Sequence, residues 1–222
     1  MYSDQPAHRT AASSASQCPA TIEVIGEGTV TATPDQAVVV LGTISEGSDL
    51  QTVQSVNAAT VTNIIDDMLQ LNIPRENMQT SDYRIEAQYD FEEGQSIFRG
   101  YKVTHLLQIT LDHIGQTGTV VDTAVDAGAN QVSSIRFQLK QPALYDNQAL
   151  SLAVLNAQQK AASIAGTLGI PLPAVPSKVR EMPDSANAIP FAPSLLAKSA
   201  ATPISPGQMN ITASVQVTYQ IH

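Results

Sequence analysis

Apolar and polar positions repeat with two different periods along this chain, and the switches between them mark its elements. Thr21 to Ala32 (TIEVIGEGTVTA) is rich in β-branched residues with Gly26 and Gly28 inserted, which predicts a strand with a bend or bulge. Pro34-Asp35 forms a turn, and QAVVVLGTIS after it is apolar on both faces. Such a run is a strand covered on two sides, or central in its sheet. Ser48 or Asp49 caps the next helix, whose stripe is Val53, Val56, Thr60, Ile64, Met68 and Leu71.

Period two then returns. Tyr83, Ile85, Ala87, Tyr89 and Phe91 alternate with charged and amide residues; after a short turn Tyr101, Val103, His105, Leu107, Ile109 and Leu111 share one face, with Lys102, Thr104, Gln108 and Thr110 on the other. Together they predict an antiparallel hairpin with one buried face. A short helix over 114–127, a strand around Ser133 to Leu139 and a long helix over 146–171 follow. Leu150, Val154, Ala157, Ala161, Ile164 and Leu168 mark one side of that long helix, and the two alanines are small enough to let its axis lie close to what it packs on. Val175 to Met182 reads as a further strand, 183–207 as a proline-rich arm, and Ile211 to Ile221 as a cleanly alternating final strand.

Leu71-Asn72-Ile73-Pro74 and Leu168-Gly169-Ile170-Pro171 each close a long helix that has a strand before it and two after it. The chain therefore reads as two βαββ halves, about 21–112 and 113–222, in an α/β (α+β) fold with long helices on mainly antiparallel sheet. No linker separates the halves, so 21–222 is expected to form a single domain with one combined core. Residues 1–20 are expected to form a disordered tail.

Composition narrows the classes of function. The net charge of −9 argues against nucleic acid and against anionic membrane surfaces. No apolar run is long enough for a membrane span, and the first twenty residues lack the basic start and apolar core of a signal peptide. Cys18 is the sole cysteine, so no internal disulfide forms; a free thiol in the tail is expected over a lipid-anchored cysteine, because no apolar stretch precedes it.

Chemistry is sparse. His105 sits on an apolar strand face without metal-ligand spacing to His8, His113 or His222, and is expected to be a packed, neutral histidine. Asp66-Asp67 and Glu92-Glu93 are solvated carboxylates, Asp35 is a turn former, and Gly26-Glu27-Gly28 precedes a strand, so it is no phosphate cradle. No catalytic residue, cofactor site or metal site is assigned, and the chain is expected not to be an enzyme. Ile189, Phe191, Leu195 and Leu196, lying among the prolines of the arm, are the candidate interface residues of a homo-oligomer. The other reading is a binding module for a small ligand or peptide under that arm.

Several landmarks also occur together: Ile22-Glu23-Val24-Ile25-Gly26-Glu27-Gly28, Pro34-Asp35-Gln36-Ala37, Asn57, Thr80-Ser81-Asp82-Tyr83, Gly100-Tyr101-Lys102-Val103, Gly128-Ala129-Asn130, Lys160-Ala161 and Pro206-Gly207. In order and spacing they resemble the SIMPL-domain family, also called domain of unknown function 541. This is the family of YggE-like oxidative-stress defence and periplasmic immunogenic proteins. The resemblance covers about 21–222. It implies an extracytoplasmic place (periplasmic, secreted or envelope-associated), no enzymatic activity or cofactor, self-assembly, and a part in stress protection.

Overall fold

A computed structural model describes residues 20–183, 190–191 and 202–221. The order of elements is β1 (Ala20–Ala32), β2 (Gln36–Gly47), α1 (Leu50–Gln70), β3 (Met78–Glu92), β4 (Gln95–Leu111), α2 (Thr117–Asp126), β5 (Gln131–Gln138), α3 (Pro142–Leu168), β6 (Lys178–Met182), β7 (Pro190–Phe191) and β8 (Gln208–Ile221). The expected α/β class is what the structure has, with all its strands in two antiparallel sheets. One sheet runs β3-β4-β2-β5; the other runs β1-β8-β6, with β7 also on β8.

Each predicted βαββ unit is present in sequence, but the strands trade places. β5, from the second half, pairs with β2 of the first. β1, from the first half, lies beside β8 of the second. The buried apolar residues gather in two clusters rather than one combined core, and the chain divides into two compact units. Of the described residues, one unit holds 29–148, 190–191 and 202–212; the other holds 20–28, 149–183 and 213–221.

In the first of these units β2 is the central strand, paired on both sides and buried from Ala37 to Thr43, which is why its sequence is apolar on both faces. α1 begins at Asp49, whose carboxylate accepts the Thr52 N–H at 2.8 Å and the Thr52 hydroxyl at 2.6 Å. Those bonds, the hydroxyl's first, hold the Asp49 carboxyl below its ordinary pKa. α1 buries Val53, Asn57, Val61, Ile64 and Met68. The predicted stripe was displaced in part: Val56 is exposed, and the polar Asn57 takes an inward place. Asn130 acts as a side-chain extension of β5. Its Oδ1 accepts the Ile44 N–H and its Nδ2 donates to the Ile44 carbonyl, both at 2.8 Å.

In the second unit the buried face of α3 is a column of Ala149, Ala153, Ala157, Ala161 and Ala165. Ala157 and Ala161 of the expected stripe belong to this column, and its other four residues do not. Leu150 and Val154 only flank the cluster, and Ile164 and Leu168 are exposed. The cause lies in β1, whose buried Gly26 and Gly28 lie against the helix. A Cβ on Gly26 would overlap the Ala153 carbonyl oxygen and stand 2.6 Å from the Ala157 Cβ; one on Gly28 would overlap the Ala149 carbonyl oxygen. Helix and strand backbones touch, so only methyl groups fit between them. Lys160 Nζ donates to the Ile25 carbonyl at 2.8 Å, and the Glu27 N–H donates to Asn156 Oδ1 at 3.1 Å, closing the seam on either side. Ile22, Val24, Val215, Val217 and Tyr219 complete this core.

Candidate interaction surface

The β3–β4 hairpin departs most from its sequence reading. Its turn is tight: Glu92 pairs with Gln95, and Glu93 and Gly94 both have positive φ (49° and 82°), the backbone of a two-residue hairpin turn that matches strand twist. The expected buried face is buried only along β4, where Val103, Leu107, Ile109 and Leu111 sit in the core. On β3 the same face stays in solvent. Tyr83 is 45% exposed, Ile85 41%, Tyr89 53% and Phe91 80%. The reason is position. β3 is the outermost strand of its sheet, and the core under α1 is built on β2 and β4.

The exposed row is ordered by ring contacts. Tyr89 meets Phe98 edge-on with centroids 5.7 Å apart, and Phe98 meets Tyr101 at 5.1 Å. Tyr83 meets His105 edge-on at 5.1 Å, and its hydroxyl oxygen accepts from Gln54 Nε2 of α1 at 3.0 Å. A cavity of about 190 Å³ lies where the end of β2 meets the hairpin, lined by Glu46, Ser48, Gln88, Arg99 and Tyr101. The opposite face of β3 carries Asp82, Arg84, Glu86, Gln88 and Asp90, with Arg84 paired to Asp82 at 2.8 Å.

His105 is half-buried at the inner end of this row. Its Nε2 lies 3.3 Å from the Thr80 hydroxyl, while its buried Nδ1 has no hydrogen-bond partner among the described residues. Desolvation lowers its pKa, as the apolar setting led us to expect. Nearby, Asn57 ties α1 to two strands at once. Its Nδ2 donates to the Val103 carbonyl at 3.1 Å, the Ser45 hydroxyl at 3.3 Å and the Thr43 carbonyl at 3.4 Å, while its buried Oδ1 has no hydrogen-bond partner among the described residues. Sequence reasoning noted Asn57 as a landmark but missed this role. The available signal was a polar residue four positions after Val53 and four before Val61.

The other sequence candidates stay apart. Asp66 is exposed on α1, Glu92 and Glu93 lie at the hairpin tip, and His113 is exposed before α2. Asp35 accepts the Lys140 N–H at 2.7 Å, which pins the chain where β5 ends. No group of three His, Cys, Asp or Glu side chains with metal-holding geometry occurs among the described residues. Ile189, Leu195 and Leu196 lie outside the described residues, as do His8, Cys18 and His222. Phe191 pairs through its backbone with Gln208 in β7–β8. The returning end of the arm is fastened at Asp122, whose carboxylate accepts the Thr202 hydroxyl at 2.5 Å and its N–H at 3.0 Å. No helix among the described residues is long and apolar enough to cross a membrane.

Residues 22–219 match the SIMPL family, described as a protein of unknown function (DUF541). This chain belongs to the SIMPL family. It is 27% identical over 214 residues to the 26 kDa periplasmic immunogenic protein of Brucella melitensis, covering 91% of this chain and 85% of that one. It is 28% identical over 141 residues to YggE of Escherichia coli K12, which covers 63% of this chain and 57% of YggE. In this SIMPL chain the landmark residues have structural work: Gly26 and Gly28 admit α3, Asn57 ties α1 to the sheet, and Asn130 extends β5.

Proposed function

We propose that this SIMPL protein is a non-catalytic protein of the cell envelope or periplasm that works by assembling with copies of itself, in a role of stress protection. The observation that carries the assembly reading is the exposed apolar row Tyr83, Ile85, Tyr89 and Phe91 on the outermost strand of a sheet. An unpaired strand edge beside an apolar row presents both the hydrogen-bonding groups and the hydrophobic area that association uses. The envelope location rests on the Brucella relative, whose name places that protein in the periplasm. The stress role rests on the family resemblance alone.

The test begins with light scattering on purified protein, where a defined oligomer is the expected result and a monomer refutes assembly. Replacing 186–203 with a short Gly/Ser linker then shows whether Ile189, Phe191, Leu195 and Leu196 belong to the interface. An unchanged oligomer removes them from it. Fractionation of the native cell with an antibody to the folded protein tests location, and recovery only with cytoplasmic markers would refute it.

A further inference from the structure

Resting on that assembly reading, we propose that two copies of this chain join edge to edge through β3, antiparallel, about a two-fold axis at Ala87. β3 ends its sheet, so among the described residues its outer edge has no neighbour. The pairing with β4 skips Ser81 at one end, and the second irregularity, past Gln88, falls on Arg99 of β4. The span 82–92 of β3 is therefore continuous, with Ala87 at its middle. That span contains no Pro and no Lys, the residues that commonly blunt an edge.

Side-chain chemistry selects the register. A two-fold antiparallel pair centred on any residue keeps both apolar rows on the same face, so the charges and the length of overlap decide. Centring at Ala87 sets Tyr83 opposite Phe91, Ile85 opposite Tyr89, Glu86 opposite Gln88 and Arg84 opposite Asp90. Every apolar residue then meets an apolar residue, and opposite charges meet twice by symmetry. Only Asp82 and Glu92, at the ends, face a like charge, and Asp82 is already bound to Arg84. Centring at Glu86 sets that carboxylate against itself and Asp82 against Asp90; centring at Gln88 sets Glu86 against Asp90. Centring at Ile85 matches charges but shortens the continuous overlap to 82–88 and sets Tyr89 opposite Ser81. Ala87 also places the smallest apolar side chain of the row on the axis.

The area is sufficient in scale. Aromatic side chains bury about 150–250 Å² each, so the exposed parts of Tyr83, Ile85, Tyr89 and Phe91 hold on the order of 400 Å² per copy. Two copies, with the backbone strip and the charged flank added, approach the roughly 1,200 Å² at which specific association begins.

Cysteine cross-linking decides it, because Cys18→Ser removes the only native thiol. Directly opposed residues stand about 5 Å apart at Cβ, whereas the two copies of residue 83 would be separated by about 27 Å of strand. Under mild oxidation the Ala87→Cys protein is expected to form a disulfide dimer. Tyr83→Cys and Phe91→Cys proteins are each expected to remain uncrosslinked alone and to crosslink when mixed. Arg84→Asp should weaken association about tenfold, and adding Asp90→Arg should restore it, with circular dichroism showing each variant folded. A wild-type oligomer whose Ala87→Cys variant fails to crosslink overturns edge pairing, gives the strand edge to another occupant, and leaves the assembly reading standing. A monomeric wild-type protein overturns both.

Discussion

Replacing Gly26 by alanine adds one carbon where β1 and α3 touch. That carbon would overlap the Ala153 carbonyl oxygen and stand 2.6 Å from the Ala157 Cβ, against ordinary contact beyond about 3.4 Å. Backbone atoms do not rotate aside, so strand and helix must separate by about 1 Å. A gap of that size forfeits roughly a quarter to a half of the dispersion energy along the seam, which here is the column Ala149, Ala153, Ala157, Ala161 and Ala165. It also lengthens the Lys160–Ile25 and Glu27–Asn156 hydrogen bonds. Overpacking typically costs about 1–3 kcal/mol, and a backbone clash belongs at the upper end; relief of glycine's entropy returns up to about 1 kcal/mol. The expected net loss is about 2–3 kcal/mol, a fall of about 5–10 °C in melting temperature for a chain of this size. Gly166→Ala is the control. Nothing lies within 4 Å of its added carbon, so helix propensity should raise the melting temperature by about 2–4 °C. Scanning calorimetry on both variants reads the contrast. A Gly26→Ala protein melting within about 1 °C of wild type would refute the argument from close backbone approach.

Asn57→Asp replaces the donor to Val103, Ser45 and Thr43 with a buried carboxylate facing carbonyls, and should cost about 3 kcal/mol at pH 7. Its folded pKa would be raised, so urea midpoints should partly recover as pH falls below that raised value. In the wild-type protein His105 has a lowered folded pKa, so the unfolded chain takes up its proton first. Its share of stability is complete above about pH 6.5 and lost as pH falls from there toward the folded value; urea titrations should show this slope in wild type and lose it in His105→Gln. The Asp122 carboxyl, held below its usual pKa chiefly by the Thr202 hydroxyl, should keep the arm's returning end fastened until pH falls through that lowered value. Hydrogen exchange at the Thr202 amide should quicken in Asp122→Ala at neutral pH.

Local patterns determined the kinds of element, and the structure determined what those elements face. The double-sided apolar run of β2, the alternation of β8, the cap at Asp49 and the fold class were legible because each depends on neighbours in sequence. Alternation in β3 was equally clear, yet it does not say whether a strand is central or outermost. Only the order β3-β4-β2-β5 leaves Tyr83, Ile85, Tyr89 and Phe91 in solvent. The α3 stripe shows the same limit. Periodicity favoured the bulky Leu150, Ile164 and Leu168, but the glycines of a strand far away in sequence set a spacing that admits methyl groups alone. The strand exchange that sends β5 to β2 and β1 to β8 was not legible at all, since a strand's sequence records that it pairs but not with which partner. The candidate surface depends on that long-range choice: sequence supplied its apolar row, and tertiary pairing left it uncovered.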